Sequence, residues 1–291
     1  MRVAVIGATG QLGSDIARAF GAYHEVVALG HDAIEVADAG SVMTVLQGAD
    51  PDVVVNCAAA HRVQDLESDH SSAFGVNAGG ALNVARACRD TNAACVFIST
   101  DYVFDGGKLD PYDEDDVAEP INVYGVSKLA GEHLTRQACQ RAYVVRLSSL
   151  FGIRGPRGKD GNFIEKILSR GAAGDPLQVV TDITMSPTYT LDAAVALESV
   201  ITTMDPGTYH LSNAGSCSWY DLAKYVLSGA GLDVEVAPTS ASSTAGGARI
   251  PAHSALTSVR TPAGIVPRPW QEAVDAYLSE RANPARSQST E

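Results

Sequence analysis

Tyr124 and Lys128 stand four residues apart in the stretch Asn122-Val123-Tyr124-Gly125-Val126-Ser127-Lys128. On a helix that spacing puts both side chains on one face, one turn apart. A phenol titrates near ~10 and exchanges protons poorly at neutral pH, but an ammonium beside it would stabilise the phenolate and bring it towards a useful range. Thr100 and Asp101 follow Phe97-Ile98-Ser99 and present a hydroxyl and a carboxyl at the end of an apolar run. Thr100 could polarise a carbonyl that Tyr124 protonates. A third element is Gly7-Ala8-Thr9-Gly10-Gln11-Leu12-Gly13, directly after the apolar run Val3-Ala4-Val5-Ile6. Glycines there allow a tight turn, a close backbone approach to a diphosphate and close packing of the following helix, whose N-terminus offers free N–H groups. Together these three stretches make a site for transferring a hydride and a proton to a ketone.

The elements that would position these groups are readable as alternation. Short Val/Ile-rich runs at Arg2–Ile6, Glu25–Leu29, Asp52–Asn56, Ala94–Ser99 and Tyr143–Leu147 are separated by longer Ala-rich or amphipathic stretches, one of them a helix over about 122–139. That is the pattern of buried parallel strands with helical crossovers, a doubly wound, Rossmann-like α/β sheet whose ligands sit at the carboxyl ends of the strands. After Ser148 glycine and proline become frequent and the alternation lapses. Residues 1–150 are therefore expected to form a nucleotide-binding unit, to which a helical stretch at about 188–210 returns. A smaller α/β lobe is expected from 151–187 and 211–282, followed by a disordered polar tail at 283–291.

The chain has 291 residues, enough for such a domain and lobe. A net charge of −13 argues against a nucleic-acid surface, so an anionic ligand has to be held by local donors. The acidic run Leu109 to Asp116 is read as a solvated loop without chemistry. Cys57, Cys88, Cys95, Cys139 and Cys217 form no C-x-x-C pair and no set of zinc spacing, so no metal is expected and a reducing cytoplasm is. The N-terminus shows no signal peptide and the chain no membrane span. A homodimer is compatible with the apolar helix faces.

Order and spacing of these motifs resemble the dTDP-4-dehydrorhamnose reductase family of the extended short-chain dehydrogenases/reductases. The carriers are Gly7 to Gly13 with its G-x-x-G-x-x-G spacing, Val55 to His61, Val76-Asn77-Ala78, Ser99 to Gly106, Tyr124 to Lys128, Gly161-Asn162-Phe163, Ser186 to Tyr189 and Arg268-Pro269-Trp270. The resemblance implies NAD(P)H-dependent reduction of the 4-keto group of a nucleotide-linked 6-deoxyhexose, with dTDP as the nucleotide. It implies Thr100, Tyr124 and Lys128 as the catalytic set, Lys128 also anchoring the ribose. Cofactor contacts are expected from Gly7, Thr9, Gly10, Gln11, Leu12, Gly13, Gly30, His31, Glu35, Val36, Ala58, Ala59, Ala60, Ile98, Tyr124 and Lys128. Substrate contacts are expected from His61, Val63, Thr100, Asp101, Tyr102, Ser149, Asn162, Phe163, Pro187 and Arg249. The second strand ends Ala28-Leu29-Gly30-His31-Asp32, with glycine where an acid would select the free ribose of NADH. NADPH is thus slightly favoured over NADH. The sequence departs from the family in the run Arg146-Leu147-Ser148-Ser149-Leu150-Phe151-Gly152, with a serine where an aromatic would touch the sugar, and at Asp182-Ile183-Thr184-Met185, which lacks the usual glutamine and glycine. Tyr102 after Asp101, in place of the acid pair of 4,6-dehydratases, favours reduction without elimination. A nucleotide-sugar epimerase with bound NAD, and a regulatory subunit without chemistry, are the alternatives.

Overall fold

The computed structural model describes residues 1–155, 161–241, 247–262 and 264–283. The tail expected at 283–291 lies, from residue 284 on, outside the described residues. In chain order the first half comprises β1 (Arg2–Ile6), α1 (Gln11–Gly21), β2 (Glu25–Leu29), α2 (Ala39–Ala49), β3 (Val53–Asn56), α3 (Val63–Leu66), α4 (His70–Phe74) and a π turn at Gly75–Gly80. It continues through α5 (Ala81–Asp90), β4 (Ala94–Thr100), a 3-10 turn at Asp101–Val103, α6 (Val123–Ala138) and β5 (Ala142–Leu147). The remainder comprises β6 (Leu150–Phe151), α7 (Phe163–Ala172), β7 (Leu177–Val180), β8 (Thr184–Met185), β9 (Thr188–Tyr189), α8 (Thr190–Thr203), β10 (Thr208–His210), β11 (Cys217–Ser218), α9 (Trp219–Gly229), β12 (Val236–Thr239) and α10 (Trp270–Ala282).

The central sheet is parallel throughout, in the order β10-β5-β4-β3-β1-β2. All five apolar runs of the sequence are strands of this sheet, with the third beginning at Val53. Residues on both faces are buried, which is why these strands read as unbroken Val/Ile runs without a polar alternation. The chain steps from β1 outward to β2, then crosses back to β3 on the other side. The loops leaving β1 and β3 therefore diverge, and the crevice between their ends is the topological switch point of the fold.

One face of the sheet is covered by α1 and α8, through Leu12, Ile16, Phe20, Ala193, Ala194, Leu197 and Val200. The other is covered by α2 and α5, through Val42, Leu46, Val84, Ala87 and Cys88. Each large aliphatic or aromatic side chain so buried contributes roughly 1.5–3 kcal/mol. A separate core holds Ile164, Leu168, Leu222, Val226, Trp270, Val274 and Tyr277 of α7, α9 and α10 against the short pairs β7/β12 and β8/β11. Side-chain caps fix where several helices start: Asp38 for α2, Asn122 for α6 and Asn162 for α7, with a Ser218/Asp221 capping box for α9.

The acidic run is not a bare solvated loop. Glu114 is buried and accepts from the His210 N–H at 2.8 Å, the Ser258 hydroxyl at 2.5 Å and the Val259 N–H at 2.9 Å, while Asp116 pairs with Lys108 at 2.6 Å. Two of these donors come from the strap at 255–260, which crosses the run with the Tyr112 N–H donating to the Ala255 carbonyl, and the third comes from β10. Charge clustering alone carried no sign of that partner.

Candidate active site

A cleft of about 900 Å³ opens at the switch point. Its floor is the glycine turn. Gly7 adopts φ +78°, open to glycine at no steric cost, and a Cβ at Gly13 would collide with the Gly7 carbonyl. Gly13 does not line the cleft; it lets α1 pack onto the turn from behind. The helix starts at Gly10 without a side-chain cap, Gly10, Gln11 and Leu12 line the cleft, and the buried Gln11 Oε1 has no hydrogen-bond partner. An uncapped helix start facing a cleft across glycines, with an orphaned acceptor beside it, fits a diphosphate with hydroxyl-bearing sugars.

Of the remaining expected cofactor residues, Thr9, Gly30, His31, Glu35, Val36, Ala58, Ala59, Ala60, Ile98, Tyr124 and Lys128 all line the same cleft. Two asparagines shape its wall. Asn56 accepts from the Ala58 N–H at 3.1 Å, and the fully buried Asn77 accepts from the Ala60 N–H and donates to the Ala60 carbonyl, both at 2.9 Å. Asp32, three residues past β2, is not part of the lining.

The reacting groups meet on the opposite wall. Thr100, the last residue of β4, caps the turn at 101–103 by accepting from the Tyr102 N–H at 3.2 Å. Tyr124 stands in the first turn of α6, whose start is set by Asn122 accepting from the Gly125 N–H at 2.8 Å. Gly125 matters here, since any Cβ would strike the Tyr102 carbonyl and push α6 away from β4. With that approach Thr100 and Tyr124 line the same cleft, and the rings of Tyr102 and Tyr124 meet edge to face at 5.9 Å.

Burial pushes the Tyr124 phenol up to about 12, with Thr100 opposing and Asp101 adding to the shift. Lys128, one turn along α6, is held by the end of β4. Its Nζ donates to the Ile98 carbonyl at 2.5 Å and lies 4.1 Å from the Phe97 ring, and burial pulls it down to about 7 against the pull of Glu132. One turn further along α6, Glu132 is fully buried and accepts from Ser99 at 2.6 Å and from Arg146 at 2.9 and 2.8 Å. Its charge is thereby committed to Arg146, which is why Lys128 keeps so little of it.

On the side expected to take substrate, His61, Val63, Asp101, Tyr102, Ser149, Asn162 and Phe163 line the cleft. Ser149 does so at φ +44°, a left-handed conformation unusual outside glycine. Two expected residues do not arrive. Pro187 is buried away from the lining, and Arg249 is exposed beside a second, smaller pocket, its backbone carbonyl accepting from Asn122 at 2.8 Å. Lys166 and Trp219 line the cleft unforeseen, with Trp219 against Phe163 at 4.5 Å between ring centroids. Lys166 stands one turn after Asn162-Phe163 and was open to that inference; Trp219 reaches the cleft through tertiary packing that no local spacing reveals. Among the described residues no cluster of His, Cys, Asp and Glu could hold a metal ion, and no helix is long and apolar enough to cross a membrane.

The model of the RmlD substrate binding domain matches residues 1–283. A spore coat polysaccharide biosynthesis protein, SpsK, of Bacillus subtilis is 37% identical over 97% of this chain and 98% of its own length. A dTDP-4-dehydrorhamnose reductase of Mycolicibacterium smegmatis is 38% identical over 94% of this chain and 84% of its own. Among solved structures, dTDP-4-dehydrorhamnose reductase of Bacillus anthracis in complex with NADP superimposes with a TM-score of 0.90 at 34% identity, over 96% and 99% of the two chains. The chain belongs to the RmlD substrate binding domain family, the dTDP-4-dehydrorhamnose reductase family whose motifs its sequence carries.

Proposed function

We propose that the protein reduces the 4-keto group of a dTDP-linked 6-deoxyhexose with NADPH. The observation that carries the reading is the meeting of Thr100 and Tyr124 in a cleft floored by the glycine turn. The names of the M. smegmatis and B. anthracis relatives, and the NADP of the latter, supply the substrate and cofactor class.

A bound nicotinamide would supply the hydride. Gly7, Gly10 and the start of α1 would hold its diphosphate, Ala58 to Ala60 the flank of the dinucleotide, and Lys128 a ribose hydroxyl. Gly30 and His31 leave room for, and a donor to, the extra phosphate of NADPH at the end of β2. Tyr124 is a phenol rather than a phenolate at neutral pH, since burial holds it near 12, and that is the form that can hand a proton to a ketone oxygen. Thr100, in the same cleft, would polarise that oxygen. Val63 and Leu147 add apolar surface to the same cleft. The aromatic pair Phe163/Trp219 and the ammonium of Lys166 would take the nucleotide end of the substrate.

The test is the oxidation of NADPH by purified protein with a dTDP-4-keto-6-deoxyhexose, with the product sugar identified. Stoichiometric consumption of NADPH is expected, and its absence alongside a change of sugar configuration would instead indicate an epimerase. Tyr124→Phe should lower kcat by about 10²–10⁴ while leaving NADPH binding intact. A fully active Tyr124→Phe protein overturns the role given to the phenol.

A further inference from the structure

A dinucleotide laid over the glycine turn brings the 2′ position of its adenosine ribose to the end of β2, where an acid selects NADH and a cation accepts the extra phosphate of NADPH. In this chain the loop leaving β2 holds both kinds of group. Gly30, His31 and Glu35 line the cleft there. The loop turns on the Gly30 carbonyl, which accepts from the N–H groups of Ala33 at 3.1 Å and Ile34 at 3.3 Å. The Asp32 carboxyl folds over Gly30, where a Cβ would come within 2.6 Å of its Oδ1. His31 Nδ1 stands 3.9 Å from Glu35 Oε2, the two side chains being 67% and 47% exposed. That separation is too long for a hydrogen bond, so the imidazole is not committed to the carboxylate and can turn to a ligand. Glu35 is tied down instead, its Oε1 accepting from the Ala37 N–H at 3.0 Å and its own N–H donating to the Ser41 hydroxyl at 3.0 Å.

The charges around this spot are mostly of one sign. Residues 30–38 contain no lysine or arginine, and their acids are Asp32, Glu35 and Asp38, the last occupied with the Gly40 and Ser41 N–H groups at the start of α2. The glycine turn and the first turn of α1 bring Thr9 and Gln11 to the cleft, neither of them charged. The other basic side chains among the described lining residues are His61, Lys128 and Lys166, which come from the segment after β3, from α6 and from α7. A phosphate arriving beside β2 therefore meets carboxylates and, from the loop itself, a single group able to become a cation. Histidine is the side chain that changes charge between about pH 5 and 8. We propose that His31 is the coenzyme-selecting residue: its imidazolium holds the 2′-phosphate of NADPH against the opposing charge of Glu35, and its neutral form gives that preference up to NADH. The inference rests on the reading of the cleft as a nicotinamide coenzyme site, and it goes beyond that reading by making the choice of coenzyme depend on pH.

Calorimetric Kd values for NADP⁺ and NAD⁺ at about pH 6.5 and about pH 8.5 test this without turnover of any sugar. The interval stops above the second ionisation of the phosphate itself, near ~6. The ratio Kd(NAD⁺)/Kd(NADP⁺) should fall roughly fivefold from the lower to the higher pH, the upper end for one solvent-exposed ion pair. His31→Gln should show the low alkaline ratio at both pH values. His31→Arg, whose charge is permanent, should show the high acidic ratio at both. Glu35→Gln removes the opposing charge and should raise the ratio roughly twofold or more at both ends. Both side chains are exposed, so these substitutions leave the core untouched. A wild-type ratio indifferent to pH, or one that still falls with pH in His31→Gln, overturns the proposal and leaves the cleft a coenzyme site. Failure of both nucleotides to bind the wild-type protein overturns the coenzyme reading and the proposal with it.

Discussion

The two walls of the cleft are built by different means. The wall formed by the ends of β1, β2 and β3 is mostly backbone and small side chains: Gly7, Gly10, Gly30 and Ala58 to Ala60 line it, and Asn56 and Asn77 brace it by taking up the Ala58 and Ala60 N–H groups. The facing wall is made of side chains from distant stretches, with Thr100, Tyr102, Tyr124, Ser149, Phe163, Lys166 and Trp219 brought together by β4, β5, α6, α7 and α9. A backbone wall recognises the feature common to all dinucleotides and tolerates little change. A side-chain wall can be altered one contact at a time, which suits the part of a reductase that selects among keto sugars.

The backbone wall should break most severely at Gly13. Valine there would drive its branched side chain into the Gly7 carbonyl and the Ala8 Cα, neither of which can move without shifting β1 or α1. Overpacking of this kind costs about 1–3 kcal/mol in stability. NADPH binding measured by calorimetry should disappear with it, since α1 no longer presents its first turn. Retained binding in Gly13→Val would mean that the glycine turn is not the cofactor floor.

Lys128 lies where the two walls meet, and its replacement should separate stability from activity. Below about 7 the folded and unfolded states both carry its proton and the cost of burying the ammonium is fully present. Between about 7 and its ordinary 10.5 the folded state has released the proton while the unfolded chain keeps it, so stability from this group rises with pH over that window. Lys128→Met should therefore be more stable than wild type at and below neutral pH, by about 1–4 kcal/mol, and should lose that advantage as pH rises. Turnover should collapse in the same variant. A destabilised Lys128→Met at neutral pH would show that the bond to the Ile98 carbonyl outweighs the cost of burial.

On the side-chain wall a smaller and more selective effect is expected. Trp219→Ala removes the partner of Phe163 and one apolar face of the cleft. Loss of an aromatic contact of this kind costs about 0.5–1.5 kcal/mol beyond the buried area, so KM for the keto-sugar nucleotide should rise roughly tenfold, with kcat at saturation and the NADPH Kd near wild type. Equal weakening of both ligands would erase the distinction between the walls.

The difference between the walls also governs what could be read from the chain. Backbone recognition is local: Gly7, Gly10 and Gly13 follow one strand and open one helix, so spacing alone identifies the turn, and the Val/Ile runs identify the parallel sheet. Tyr124 and Lys128 were legible because one helical turn joins them, although the electrostatics of Lys128 was not, since Glu132, four residues further on, is claimed by Arg146 from β5. Glu114 in the acidic run, and Ser148 and Ser254 around Asp101, depend on contacts across 47 to 153 residues of chain that leave no periodic trace. Short strand pairs such as β8/β11, two residues each, are equally mute.

Arg249 is the residue on which spacing and geometry disagree most directly, and its removal should have the least effect of all. As the cation expected to meet the substrate, its loss would weaken binding of a diphosphate-bearing sugar by a charge-assisted hydrogen bond, about 1.5–3 kcal/mol or tenfold and more in KM. In the structure its side chain is exposed beside the smaller pocket with Asp105, Ile121 and Ala252, and only its backbone carbonyl contributes, by fixing the Asn122 cap that starts α6. Alanine preserves that carbonyl. Arg249→Ala should thus leave kcat, KM and NADPH binding within about twofold of wild type, the range of an exposed substitution, while Asn122→Ala, which removes the cap itself, lowers kcat by displacing Tyr124. A tenfold rise in KM for Arg249→Ala would mean that the segment at 247–252 swings over the cleft when substrate binds, and the side-chain wall would then include a segment that the fold described above holds apart.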